Sequence, residues 1–171
     1  MTRKTKYQEL CKAYDKGVEA CNNYRHECRE FVQELRSSII DTLSCSDTKV
    51  FMFQPSKGFV FKSHVIQGDV FDTEFGDSGT AIIGFAINVN KELQDKFFTF
   101  LVIFKKIEDK FRFSIIDDDK EFVSTNDGFI DFGEHMFHVA FKNLSERLAI
   151  FLESPGEKSA PIGFRVQHEK D

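Results

Sequence analysis

The sequence predicts an α+β fold: a long N-terminal helix, a mostly antiparallel sheet of about five or six strands arranged as hairpins, and a C-terminal amphipathic helix packed on that sheet. Two observations predict it. Apolar residues recur every three or four positions up to about residue 45, alternate from residue 48 onward, and return to helical spacing after Gly133. Phenylalanine marks the same boundary. Of 21 Phe only Phe31 precedes residue 47, whereas all 4 Cys and all 3 Tyr do. The chain thus divides into an N-terminal helical arm, 1–47, and a body, 48–171, with 171 residues making one domain overall.

The arm has no proline and a single glycine, Gly17, which permits a continuous helix. Leu10, Tyr14, Gly17, Cys21, Tyr24, Cys28, Phe31 and Leu35 step by three or four, and Ile39 and Leu43 extend the stripe. Lys12, Lys16, Glu19, Arg29, Glu30 and Arg36 fall mostly on the other faces. Such a helix would be about 60 Å long, roughly twice the diameter of a small domain. Either it breaks near Gly17 or Asn22-Asn23, or its end projects and pairs with a second copy. Tyr, Gly and Cys make a poor zipper seam, because such seams favour Leu, Ile and Val. Packing against the chain's own sheet and a helix-mediated homodimer both stay open.

The body begins with KVFMFQPSKGFVFK, which reads as a hairpin with Phe51 and Phe53 on one arm and Phe59 and Phe61 on the other. A loop with a short strand at Val70-Phe71 should follow. GTAIIGFAINVN alternates Ala81, Ile83, Phe85, Ile87 and Val89, and its second face is also apolar or small, as in a central strand. Residues 97–105 and 110–116 form another hairpin across Ile107-Glu108-Asp109. Residues 121–124 and 129–132 are shorter strand candidates. From Gly133 to Ser154 the spacing of Phe137, Phe141, Leu144, Leu148, Phe151 and Leu152 predicts a helix buried along that stripe, ended by Pro155-Gly156. Residues 162–166 are expected to return as a last strand.

Composition excludes several classes of function. The formal net charge is −5, the wrong sign for a generic binder of nucleic acid or anionic membrane, and neither partner is expected. The most apolar run, FFTFLVIF, has eight residues where a membrane span needs about 20. No apolar run follows the basic N-terminus, so a secretory leader is not expected. The cysteines Cys11, Cys21, Cys28 and Cys45 lack the close pair that zinc sites require. They read as reduced thiols in a cytoplasmic protein.

Candidate chemistry is thin. Glu134-His135 and His138 are neither His-Glu-x-x-His nor its inverse, and the sequence places no third ligand beside them. Setting Gly128 as the turn glycine of a calcium loop puts Val123, which has no side-chain oxygen, at the first ligand position. Asn126-Asp127-Gly128 reads more simply as a hairpin turn. Asp117-Asp118-Asp119 with Glu121 reads as a solvated turn. No nucleophile or phosphate-loop motif occurs. No enzymatic activity, catalytic residue, metal or cofactor is therefore expected.

Charge distribution is the better signal. Residues 1–36 hold 8 basic and 6 acidic residues, and residues 37–171 hold 15 and 22. Two stretches concentrate the acids. DVFDTEFGD carries Asp69, Asp72, Glu74 and Asp77 around Phe71 and Phe75. The second, 117–134, carries seven acids and only Lys120, with Phe122, Phe129 and Phe132 among them. Carboxylates steer a basic partner and aromatic rings anchor it. The expected function is a non-enzymatic protein-binding module of the inhibitor, immunity-type or adaptor kind. Its contact residues would be Asp69, Asp72, Glu74, Phe75, Asp77, Asp117, Asp118, Asp119, Glu121 and Asp127. An alternative is a sensor-type domain with a Phe-lined ligand pocket, approached at Gly84, and a helix-mediated dimer. A metal-dependent hydrolase on Glu134, His135, His138 or the Asp117 cluster has the weakest pattern.

Overall fold

The computed structural model describes residues 5–55, 79–89 and 97–153, with side chains as far as Glu146. The first helix, α1 (Lys6–Leu43), is 38 residues long, about 57 Å at 1.5 Å per residue. It runs through Gly17 and Asn22-Asn23 without the break that those residues would permit. Thr5 and Gln8 start it as a capping box. The Gln8 N–H donates to Thr5 Oγ1 at 3.3 Å, and the Thr5 N–H donates to Gln8 Oε1 at 3.0 Å. Ser44, at φ 47°, ends it. The Cys45 N–H reaches the Ile40 carbonyl and the Ser44 N–H the Asp41 carbonyl, the paired bonds of a Schellman motif.

The chain divides into two compact units, one ending at Leu35 and the other beginning at Arg36. In the first, Tyr7, Leu10 and Tyr14 are exposed, while Cys28, Phe31, Val32 and Leu35 are buried.

The second unit contains the end of α1, the sheet and the last helix. Arg36 joins the helix to the sheet: its Nε donates to the Val50 carbonyl at 3.0 Å, and Nη2 donates to the Asp47 carbonyl. A 3-10 turn, Asp47–Lys49, then delivers β1 (Val50–Phe53). The sheet continues through β2 (Thr80–Asn88), β3 (Phe97–Ile107), β4 (Lys110–Ile115) and β5 (Phe122–Val123). Its order is β1-β2-β3-β4-β5 with every neighbouring pair antiparallel. The α+β architecture is as expected, and so is the β3–β4 hairpin, except that β3 runs on through Ile107 and leaves Glu108-Asp109 as the turn. Phe59, Phe61, Val70-Phe71 and residues 162–166, expected as strands, lie outside the described residues.

One sheet face makes the core. Val50 and Met52, Ala81, Ile83, Phe85 and Ile87, Phe98, Phe100, Val102 and Phe104, and Phe111, Phe113 and Ile115 are all buried, and the register places them on the same side. On the opposite face Phe51 meets Phe97 edge-on at 5.7 Å, and Phe53 sits opposite Gly84. Among the described residues, no helix is long and apolar enough to cross a membrane.

The last helix departs from expectation at both its start and its face. It is α2 (Asn126–Glu153), so Asn126-Asp127-Gly128 is its first turn rather than a hairpin turn, and Phe129–Phe132 is helical rather than a strand. Thr125 is the cause. Its Oγ1 accepts from the Gly128 N–H at 3.1 Å, and its carbonyl accepts from the Phe129 N–H at 2.9 Å. The buried row is Phe132 and Met136 with Gly133, not Phe137 and Phe141, both of which are exposed. Phe132 decides this phase. Its ring lies 5.3 Å from Phe113, 5.3 Å from Phe122 and 6.5 Å from Phe100, a closed aromatic cluster on the sheet.

Candidate functional site

The strongest concentration of chemistry in the described residues lies where the sheet hands over to α2. After β4 the backbone reverses at Asp117, which adopts a left-handed conformation at φ 68°, one that Asp tolerates better than most residues. The Asp118 N–H closes the turn on the Ile115 carbonyl at 3.1 Å. Asp118 in turn ties the loop to α2. Its Oδ1 accepts from the Lys120 N–H at 2.9 Å, and its Oδ2 lies 2.7 Å from His135 Nε2 on α2. A carboxylate only accepts, so Nε2 carries the proton in that bond. Both side chains are 22% exposed.

His135 is held from a second side by the Phe122 ring, with centroids 5.5 Å apart, and Lys120 Nζ lies 4.9 Å from the centroid of that same Phe122 ring. Glu121 reaches Arg112 Nη1 at 3.4 Å across an exposed edge. Ser124 fixes the entry to α2, with its Oγ accepting from the Phe111 N–H at 2.8 Å and its own N–H donating to the Phe111 carbonyl at 2.8 Å.

Exposed acids lie both on this turn and on the first turns of α2. Asp117, Asp119 and Glu121 are exposed on the turn, and Asp127, Asp131 and Glu134 on the helix. The Asp118–His135 contact ties the two parts together. Of the expected contact residues, Asp117, Asp118, Asp119 and Glu121 lie on this turn, and Asp127 lies in the first turn of α2. Asp69, Asp72, Glu74, Phe75 and Asp77 lie outside the described residues. Phe122 and Phe132 are buried, so the aromatic anchors expected between these acids belong to the core instead. The Asp118–His135 contact spans 17 positions, and neither residue's immediate neighbours signal it.

Geometry also bears on the motifs weighed in the sequence. Asn126 to Asp131 are helical, so they cannot wrap a cation as a calcium loop does. His135 faces Asp118 whereas His138 is exposed, with its ring 5.7 Å from Phe137. Among the described residues no group of three His, Cys, Asp or Glu is placed to hold a metal ion. At Gly84 the Phe53 ring occupies the space through which the alternative sensor-type reading has a ligand approach. An added Cβ would lie 2.5 Å from Phe53 Cε2.

Burial pushes the Asp118 carboxyl up, but this is outweighed by hydrogen bonds from the Lys120 N–H and from His135, and by the charges of His135 and Lys120. The net effect holds it below the usual aspartate value. A depressed folded-state value makes its stabilisation complete above the unfolded value, near 4, and lost as pH falls through the lower folded value. Asp118→Asn is expected to cost on the order of 1 kcal/mol at neutral pH. It should also flatten the acid limb of the stability profile below about pH 4, read by urea unfolding across pH. An acid limb unchanged in the variant would contradict this assignment.

Comparison with protein-family models, with curated proteins and with solved structures gives no match to this chain.

Proposed function

We propose that the protein is a non-enzymatic binding module that engages a basic protein partner through its acidic surface, in the manner of an inhibitor, immunity-type or adaptor protein. The observation that carries this reading is the exposure of Asp117, Asp119, Glu121, Asp127, Asp131 and Glu134 in a stretch, 117–134, whose one base is Lys120, with Arg112 engaging Glu121 alone. A field of one sign speeds encounter with the opposite sign and repels competitors of its own sign. Asp118 plays a different part, since its carboxylate is engaged by His135 and the Lys120 backbone.

Affinity capture with the full chain from its native host tests the reading. A basic protein should be retained in stoichiometric amount at low salt and released as salt rises. Reversing Asp117, Asp119 and Asp127 to Lys should weaken retention at least about tenfold. If the same proteins stay bound to the reversed chain, the acidic surface is not the contact.

A second reading concerns α1. Leu10 is 71% and Tyr14 73% exposed on the apolar stripe of an unbroken helix, which favours pairing with a second copy along that stripe. Sedimentation equilibrium should then find a dimer that Leu10→Glu with Tyr14→Glu converts to a monomer. A wild-type monomer throughout the concentration range would dispose of it.

A further inference from the structure

α2 carries two apolar rows, and the core uses only one. Phe132 and Met136 are fully buried, whereas Ile130 is 60%, Phe137 41% and Phe141 61% exposed. At 3.6 residues per turn these three lie within about 40° of one another, in a row about 16 Å long. The Phe137 and Phe141 rings stack at 6.0 Å, and Ile130 lies two turns before Phe137 on the same side of the helix. Exposed strips of this kind, rimmed by polar residues, mark contact surfaces.

The rim identifies the occupant. Asp127, Asp131 and Glu134 follow the strip along one side, and no Lys or Arg occurs from Asn126 to Phe141. A complementary surface must therefore be apolar in one row and basic in the next. Of the chain's own segments outside the described residues, only residues 1–4 are net basic, with 2 bases and no acid, and four residues are too short to match a row of this length. Residues 56–78 hold 2 bases and 4 acids, residues 90–96 hold 2 and 2, and residues 154–171 hold 3 and 3. A second copy presenting the same face would oppose acid to acid, which costs affinity.

We propose that this face of α2 is the docking surface for a basic amphipathic helix of a partner protein. Ile130, Phe137 and Phe141 receive the apolar row of that helix, and Asp127, Asp131 and Glu134 pair with its Lys and Arg residues. A helix laid alongside in this way is anchored at positions spaced by whole turns, and the strip at residues 130, 137 and 141 has that spacing. The inference rests on the acidic-surface reading and adds to it the apolar anchor and the form of the partner.

The test uses a labelled synthetic peptide with a leucine row flanked by lysine and arginine, and a counterpart with glutamate in place of the bases. Fluorescence anisotropy with the full chain should show the basic peptide bound and the acidic one unbound. Phe137→Gln with Phe141→Gln should weaken binding at least about tenfold. Reversal of Asp127, Asp131 and Glu134 to Lys should do the same. A benzophenone on the basic peptide should crosslink the wild-type chain within 127–141, a readout independent of how the variants fold.

Binding that survives Phe137→Gln with Phe141→Gln but disappears on charge reversal overturns the inference while leaving the acidic-surface reading in place. Crosslinks confined to other residues overturn it as well. So does a dimer in sedimentation that the two Phe substitutions dissolve, since a second copy then occupies the strip. If the basic peptide does not bind at all, the inference fails, and salt-sensitive capture of a basic protein decides separately whether the broader reading survives.

Discussion

Phe132→Ala is expected to remove about 3–5 kcal/mol of stability, a large share of what a domain of this size commands. The side chain is fully buried and contacts the rings of Phe100, Phe113 and Phe122, which belong to three different strands. Truncation leaves a cavity that aromatic neighbours on a hydrogen-bonded sheet cannot easily close, so the lost transfer energy and the void add. Urea unfolding followed by circular dichroism measures the loss. Phe141→Ala is the control: its ring is exposed on the same helix, and its truncation should change stability by no more than about 0.5 kcal/mol. Equal losses in the two variants would mean that α2 rests on a different face from the one described.

The second large effect is expected at Gly128. A Cβ there would overlap the carbonyl oxygen of Val123 and approach its carbonyl carbon to 3.1 Å. The obstacle is backbone belonging to β5, not a side chain that could rotate away. Gly128→Ala should therefore force apart the junction between β5 and α2, costing on the order of 2–3 kcal/mol. At Gly17 a Cβ would have nothing within 4 Å, and an exposed helix interior favours alanine. Gly17→Ala is accordingly expected to raise stability by about 0.5–1 kcal/mol. Thermal unfolding of the pair distinguishes them by sign. Stabilisation at both positions would show that the junction has room.

Phe132 and Gly128 also mark where the architecture stops being legible in the chain itself. The first helix, β2, and the β3–β4 hairpin announce themselves because each pattern has one period and one apolar face, or a strand apolar on both. α2 is harder. Phe129, Phe132 and Met136 form one row with helical spacing, and Phe137, Phe141 and Leu144 another, so periodicity identifies a helix without choosing its buried side. The choice falls to Phe100, Phe113 and Phe122, which lie on other elements. Asn126-Asp127-Gly128 has the residue types of a tight turn, but here Gly serves closeness to Val123 while Thr125 caps the helix.

The candidate site was legible as charge and illegible as geometry. The acids at 117–134 are conspicuous in composition, and all but Asp118 are exposed on the turn and α2. That Asp118 differs from its two neighbours is invisible in three consecutive aspartates. Its distinct role comes from the turn at Asp117 and from a histidine 17 residues away. Likewise, Phe122 and Phe132 look like the rings of a contact loop until the sheet claims them. Phe137 and Phe141 take the opposite course.

The order of the sheet also bears on how the body assembles. Among the described residues every strand lies beside its neighbour in sequence, so none of these strands must wait for a distant one before it has an edge to join. The β3–β4 turn is only Glu108-Asp109, which makes that hairpin the cheapest pairing to close and a natural nucleus. By contrast the β1–β2 pairing joins strands separated by residues 54–79, the widest sequence separation between paired strands among the described residues, and such non-local pairings form later. Substitutions in the hairpin should thus slow folding, whereas those in β1 should mainly hasten unfolding.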